Sequence, residues 1–336
     1  MRIALLEARR GLGLTSPNPA VGAVLVIKGK VVARGHHRRA GAPHAEVDCL
    51  SRFGRKVPRS AQLYVTLEPC STRGRTGLCT NTIVEAGVKK LVVGVVDPNP
   101  RHDGRGIERL RKAGVDVRVG VLADECRDLN ESYNKWIQTG VPFVVAKCGM
   151  SLDGRLTTPP SEGQWLTSPA SRRHAQRLRA RVDAILVGAQ TIRADNPRLT
   201  VRGQPGANQP WRIVLSRSGK LPSRARILTD RFAAGTRIYG QIQLDALLRE
   251  LGAEEITSVL IEGGGEILGQ ALDRQLIDKI QIYVAPIFTG GPKIAFAGTG
   301  AASTASASRL GRISYEKIGA DVCVIGYTAF ERPAAE

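Results

Sequence analysis

Gln62-Leu63-Tyr64-Val65-Thr66-Leu67-Glu68-Pro69-Cys70 is the stretch on which the fold of this 336-residue chain turns. Alternating apolar residues over 62–66 predict a strand, and Pro69 follows it, so a cysteine is delivered just past a strand end. Eight residues separate Cys70 from Cys79, and 80–86 then reads as a helix. Upstream, His44-Ala45-Glu46 opens another helical stretch, 44–53. One histidine and two cysteines are three borderline-soft ligands. They leave the fourth position of a tetrahedral zinc open, as in a catalytic rather than a structural site. Zinc lowers the pKa of water toward neutrality. Glu46, two residues from the histidine, can take a proton and hand it to a departing amine. Singly, His44 reads as an ordinary surface histidine and the cysteines as core; together, at this spacing, they point to the metal.

Outward from this unit, 20–27 and 31–34 flank Lys28-Gly29-Lys30 as a hairpin. Residues 91–96 and 115–119 read as strands, and 107–112 as a helix. Residues 124–138 read as one long amphipathic helix, with Cys126, Leu129, Tyr133 and Trp136 on a stripe. Thr139-Gly140-Val141-Pro142 breaks the pattern and predicts domains at 1–140 and 141–336. In the second half, strands are expected at 143–149, 184–188, 211–215, 237–239, 258–261, 280–284 and 322–330, and helices at 168–181, 244–251 and 266–272. Both halves are therefore α/β, without an internal repeat, and 301–308 is the only low-complexity patch. Ile261-Glu262-Gly263-Gly264-Gly265-Glu266 runs from a strand end through three glycines into a helix, where backbone N–H groups can approach a phosphate. It is not a dinucleotide fingerprint, because Leu268 holds the third glycine position. Taken alone it also reads as a plain loop.

The formal net charge is +19. It divides as +11 over 1–140 and +8 over 141–336, with no basic tail or arm, and arginine supplies most of it. Aromatic residues are only 4%, so base-stacking platforms for a nucleic-acid partner are scarce. No run approaches the roughly 18 apolar residues of a membrane span. The N-terminal MRIALLEARRGLG carries charges inside its apolar stretch and makes a poor signal peptide. Six cysteines in this length predict a reducing, cytoplasmic setting, with Cys49, Cys126, Cys148 and Cys323 as core residues.

The H-x-E…P-C…C pattern is that of zinc-dependent deaminases. Nucleoside and nucleic-acid deaminases usually carry Cys-x2-Cys. The wider spacing here resembles the deaminase domain of the bifunctional riboflavin-biosynthesis deaminase/reductases. Thr15-Ser16-Pro17-Asn18-Pro19, Gly41-Ala42-Pro43-His44-Ala45-Glu46-Val47, the 64–70 segment and Asp97-Pro98-Asn99-Pro100 carry the likeness in the first half. Ser151-Leu152-Asp153-Gly154-Arg155, Gln164-Trp165-Leu166-Thr167-Ser168, Leu178-Arg179-Ala180, the 188–197 segment and Leu199-Thr200-Val201-Arg202 carry it in the second. There are departures. Thr72-Arg73 and Gly77-Leu78 stand where that family commonly has His and Pro-Pro. Gly163 stands for Ser, and Ser216-Arg217 for Asp and a hydroxyl residue. None removes a metal ligand.

The resemblance implies an N-terminal cytidine-deaminase-like three-layer α/β/α domain and a C-terminal dihydrofolate-reductase-like α/β domain. It implies Zn2+ on His44, Cys70 and Cys79, with Glu46 catalytic. The implied first substrate is 2,5-diamino-6-ribosylamino-4(3H)-pyrimidinone 5′-phosphate, with Asn18 against its ring. The second half is implied to use NADPH to reduce the ribosyl group to ribityl. NADPH contacts carry over to Gly149, Trp165, Thr191, Asp195, Gly263, Gly264 and Gly265. Substrate contacts carry over to Arg179, Leu199, Arg202 and Glu262. From the residues alone, Trp165 reads as core, Asp195 as a turn cap, Arg179 and Arg202 as phosphate ligands or solvated surface, and Asn18 as an Asn-Pro turn. Asp153 and Glu262 are the candidate proton donors. Homo-oligomerisation is a further implication of the resemblance. Two rivals are a tRNA-adenosine-type deaminase with an added domain and a zinc-stabilised RNA-binding protein. The cysteine spacing and second half speak against the first, and the scarcity of aromatics against the second.

Overall fold

Gly22 and Gly35 sit on opposite faces of one hairpin and set the layering of the N-terminal half. The computed structural model describes residues 1–71, 77–156 and 165–329, and the chain divides into two units, Met1–Gly140 and Val141–Glu336. The first unit runs α1 (Arg2–Ala8), β1 (Gly22–Ile27), β2 (Lys30–His36), α2 (Ala45–Phe53), β3 (Ala61–Leu67), α3 (Cys79–Glu85), β4 (Lys90–Val95), α4 (Arg105–Lys112), β5 (Asp116–Val119), α5 (Ala123–Leu129) and α6 (Glu131–Thr139). Its sheet is ordered β2-β1-β3-β4-β5, with β1 antiparallel to both neighbours and β3, β4 and β5 parallel. A Cβ on Gly22 would lie 2.0 Å from Ala4 O of α1, and one on Gly35 would lie 2.3 Å from Cys49 N of α2. Ala23 pairs with Gly35, so by strand alternation α1 and α2 cover opposite faces. Helix α5 joins the α1 side, where Cys126 Sγ would stand 2.3 Å from a Cβ on Gly94. The α2 side buries Leu25, Leu63, Val65 and Val93 with Cys49, Ile83 and Leu110. The result is a three-layer α/β/α unit.

The second unit runs β6 (Phe143–Ser151), α7 (Pro169–Arg179), β7 (Ala184–Gly188), α8 (Ala189–Asp195), β8 (Trp211–Leu215), α9 (Arg226–Thr229), β9 (Thr236–Tyr239), α10 (Leu244–Ala253), β10 (Ser258–Glu262), α11 (Gly265–Asp273), β11 (Lys279–Ala285), β12 (Leu310–Ile318) and β13 (Asp321–Thr328). Its sheet is ordered β12-β13-β11-β6-β10-β7-β8-β9. From β11 to β9 every pairing is parallel, and the β12–β13 hairpin adds an antiparallel edge. Continuous apolar strands such as Ala184–Gly188 fit a sheet covered on both faces. Leu247, Leu251 and Leu268 pack on one face with Ala146 and Ile261, and Ile192 and Ile227 on the other with Val145 and Leu260. Parallel strands place their carboxyl ends together, which is where ligands bind in open α/β sheets.

One expected element needs correction, and several elements, α8 and α9 among them, had not been expected. The helix expected over 124–138 is two helices. Asn130 breaks it, because its side chain is spent on Ala20, accepting from Ala20 N at 2.8 Å and donating to Ala20 O at 3.0 Å. Strand β12 was not foreseen, since none of its residues is buried and it bulges between Gly311 and Ser314, which erases the period-two signal. Helix α1 was likewise not foreseen. Phe330, expected in the last strand, lies outside the described residues. Among the described residues no helix is long and apolar enough to cross a membrane.

Candidate functional site

His44 sits at the N-cap of α2 with extended backbone, so its ring and the Glu46 carboxyl in the first turn look toward the same space. Cys70 follows β3, and Cys79 opens α3. His44 Nδ1 is 3.1 Å from Cys79 Sγ and 3.6 Å from Cys70 Sγ. All three donor atoms lie within 4.8 Å of one another. The Cys79 N–H donates to Cys70 Sγ at 3.4 Å, as expected of a thiolate at a helix start. The Cys79 thiol, then His44, hold Cys70 down at about 4. The same contact and burial push Cys79 up. Burial raises Glu46 to about 7 against the opposing pull of His44, and the carboxyl bonds Cys79. Two thiol sulfurs and an imidazole with no fourth protein donor in the group suit zinc with an open position.

Glu68, adjacent to the Pro69-Cys70 turn, is a residue the sequence reading passed over. Its buried carboxylate accepts from the backbone N–H of Asp97 (3.1 Å), Gly104 (2.9 Å), Gly106 (2.7 Å) and Ile107 (3.3 Å). A Cβ on Gly106 would lie 2.1 Å from Pro69 O. The ligand-bearing turn is therefore clamped onto the start of α4. A glutamate directly before the Pro69-Cys70 pair was the available signal. Asn18 reaches the centre through His37, which contacts His44. Residues 72–73 of the cysteine loop lie outside the described residues.

In the second unit the carried-over residues collect at the carboxyl ends of β6, β10 and β7. Gly263 and Gly264 have φ of 103° and 72°, a region that favours glycine. Thr191, at the start of α8, has its Oγ1 3.5–3.6 Å from where their Cβ atoms would be. A Cβ on Gly265 would meet Ile294 O at 2.0 Å, and one on Gly149 would meet Thr167 Cγ2 at 2.9 Å. Gly263 and Gly264 leave the start of α11 free of side chains, as a dinucleotide phosphate needs, while Gly265 and Gly149 let the protein's own Ile294 and Thr167 pack close beside it. Trp165 is not core: it is 59% exposed, with the Arg172 guanidinium over its ring. Asp195 is exposed at the end of α8. Gly163 and Gln164 lie outside the described residues. Ser216 is buried and donates to Lys220 O at 3.0 Å, while Arg217 is exposed 3.7 Å from Glu266.

The strongest electrostatic feature is Glu262 at the end of β10. Arg179 donates Nε–H to Oε1 at 2.9 Å and Nη2–H to Oε2 at 2.5 Å, and its Nη1–H to Thr200 O at 3.1 Å. Burial alone would raise Glu262, but Arg179, Lys147 and Arg202 outweigh it and hold the carboxyl at about 2. Burial works against Arg179, yet Glu262 keeps its pKa above the ordinary value. Arg202 is exposed, and its backbone N–H donates to Gln176 Oε1 at 2.9 Å. Leu199 is buried with φ 52°, so it can offer only backbone to a ligand. Lys147 pairs in register with Glu262, and its ammonium lies over the Tyr283 ring. It was missed by the sequence reading, although a lysine inside Phe143-Val144-Val145-Ala146-Lys147-Cys148-Gly149 is the kind of charge a buried strand carries only for a reason. Asp153 is occupied by Ser151 Oγ at 2.5 Å and Gly290 N at 2.9 Å, and the Ser151 bond holds its pKa down.

Comparison with known proteins follows this division. The family model for the cytidine and deoxycytidylate deaminase zinc-binding region matches residues 1–95, and that for the RibD C-terminal domain matches 142–324. The chain is 37% identical to riboflavin biosynthesis protein RibD of Aquifex aeolicus, covering 96% of each chain. It is 38% identical to RibD of Escherichia coli, covering 86% of this chain and 88% of the other. Among solved structures, Acinetobacter baumannii RibD superposes with a TM-score of 0.89 at 34% identity, covering 98% of each chain. A Thermotoga maritima diaminohydroxyphosphoribosylaminopyrimidine deaminase/5-amino-6-(5-phosphoribosylamino)uracil reductase superposes at 0.88 and 31%, covering 98% and 97%.

Proposed function

This chain belongs to the RibD family of riboflavin biosynthesis proteins, and on that premise we propose a division of labour between its halves. It is a bifunctional enzyme, a zinc-dependent deaminase and a reductase of the family that uses NADPH. Residues 1–140 carry the deamination of 2,5-diamino-6-ribosylamino-4(3H)-pyrimidinone 5′-phosphate. Residues 141–336 carry the reduction of the resulting ribosylaminouracil phosphate to its ribityl form. The observation that carries this reading is the His44, Cys70 and Cys79 group with the buried Glu46 beside it.

His44, Cys70 and Cys79 hold the metal. Zinc supplies, when bound, a Lewis acid that makes water a competent nucleophile at neutral pH. Glu46, with its carboxyl near 7, accepts a proton from the attacking water and gives it to the departing amine, so that water enters and ammonia leaves. Asn18 orients the ring. In the other half, Gly149, Trp165, Thr191, Asp195, Gly263, Gly264 and Gly265 hold the cofactor. Arg179, Arg202, Glu262 and the Leu199 backbone hold the substrate, with the excess of cations facing its phosphate. When bound there, NADPH would supply hydride for the sugar aldehyde carbon, whose oxygen would need a proton. Glu262 and Asp153 are both held ionised, so neither is the ready source of that proton. Lys147 stands in register with Glu262 across β6 and β10.

None of the six cysteines is paired in a disulfide, which supports a reducing, cytoplasmic setting. The substrates are small phosphorylated pyrimidines rather than a specific nucleic acid, and the family likeness supports a homo-oligomer. The test is incubation with the diaminopyrimidinone phosphate, with and without NADPH. Product masses should report exchange of NH for O in both cases, and gain of two hydrogens only with NADPH. An unchanged substrate in both would overturn the reading.

A further inference from the structure

His37 stands between Asn18 and the ligand His44. It directly follows β2, its backbone N–H donates to Val21 O at 2.9 Å, and it is 2% exposed. Its ring meets the His44 ring edge-on, with centroids 5.2 Å apart. Nδ1 lies 3.1 Å from Pro43 O, and Nε2 lies 3.3 Å from Asn18 Nδ2. These two contacts decide each other. A backbone carbonyl only accepts, so Nδ1 carries a hydrogen. The Asn18 amide nitrogen is the atom set against Nε2, and an amide nitrogen only donates, so Nε2 is the accepting, bare nitrogen of the ring. The reverse orientation would set a carbonyl oxygen against a bare nitrogen, two acceptors face to face. Nδ2 is thus consumed, and Oδ1 of the exposed Asn18 is the unengaged acceptor among the described residues.

We propose that His37 is a positioning residue that locks the Asn18 amide with Oδ1 offered to the substrate, so that the deaminase site selects a heterocycle presenting an N–H donor at that point. A ring lactam N–H or an exocyclic amine satisfies it; a bare ring nitrogen or a carbonyl does not. The assignment rests on the deaminase reading above and adds to it which edge of the ring Asn18 reads.

The test is a double-mutant cycle on the full chain: His37→Phe, Asn18→Ala, both together, and His37→Gln, whose carbonyl can still accept from Asn18. Zinc content, reductase turnover, and deaminase KM and kcat are measured for each. His37→Phe should raise the deaminase KM about tenfold, the scale of one lost neutral hydrogen bond, with a smaller change in kcat and zinc retained. His37→Gln should recover most of that loss, and His37→Phe should add nothing in the Asn18→Ala background. An equal further loss in that background, or a zinc-loaded His37→Gln as impaired as His37→Phe, overturns the proposal. Should His37→Phe lose its zinc, His37→Gln decides alone: a restored KM upholds the proposal and a tenfold rise overturns it. No turnover by the unaltered chain overturns the deaminase reading itself and, with it, this one.

Discussion

Glu262 grips Arg179 with both carboxylate oxygens, and both side chains are removed from water, at 5% and 13% exposure. The pair joins the end of β10 to the end of α7, 83 residues apart in sequence. A buried pair of this kind does not by itself argue for stability, but loss of one partner strands the other charge.

Replacing Arg179 by Met should therefore cost about 3–5 kcal/mol of stability in urea unfolding at neutral pH. The carboxyl of Glu262 sits near 2, below its ordinary 4.5. A depressed acid pKa contributes stability fully above the ordinary value and loses it as pH falls toward the folded one. The gap between Arg179→Met and the unaltered chain should narrow as pH drops from 4.5 toward 2. A gap that stays constant with pH would count against the pair as its source.

Glu46→Gln should retain zinc by metal analysis and lose about 10²–10⁴-fold in deaminase kcat, the usual worth of general acid–base catalysis. Reductase turnover in the same chain is the internal control and should not change. Deamination within a few-fold of normal would remove Glu46 from the proton path.

Glu68→Gln sets an amide NH2 against a nest of backbone N–H donors. Whichever oxygen is replaced, two N–H donors lose their acceptor and face an amide nitrogen, at about 1–3 kcal/mol each. Because the clamp holds the Cys70 turn, zinc should also be lost at a lower chelator concentration, read by competition with a chromogenic chelator. Reductase turnover should be unaffected.

Gly265→Ala places a Cβ 2.0 Å from the Ile294 carbonyl oxygen, a backbone atom that cannot step aside cheaply. The first turn of α11 should shift, and NADPH affinity should fall at least about tenfold in a fluorescence titration, with deamination unchanged. Unaltered NADPH binding would show that the phosphate site lies elsewhere.

Much of the first centre was legible because its information is local. His44 and Glu46 are neighbours in one helical turn, and Cys70 and Cys79 flank one loop between a strand and a helix. Ligand chemistry and short spacing suffice there. The second half was legible in its strands and its glycine turn, whose composition carries a backbone requirement. What escaped had no local signature. The Asn130 break depends on a hydrogen bond to Ala20, 110 residues away. Trp165 read as core, yet it lies in the open beneath Arg172. Strand β12 has its period hidden by exposure on both faces.

The sequence by itself determined two α/β halves, a His–Cys–Cys metal set with an adjacent glutamate, and a glycine turn at a strand end, because periodicity, turn chemistry and ligand type are properties of short stretches of chain. Only the tertiary structure decided which groups are charged and which way they face. Glu262 is an anion because Arg179, Lys147 and Arg202 surround it. Asn18 offers an oxygen because a histidine 19 residues on has its other nitrogen committed to Pro43. Proton positions and buried charges are set by neighbours in space, and their energies exist only once water has been excluded.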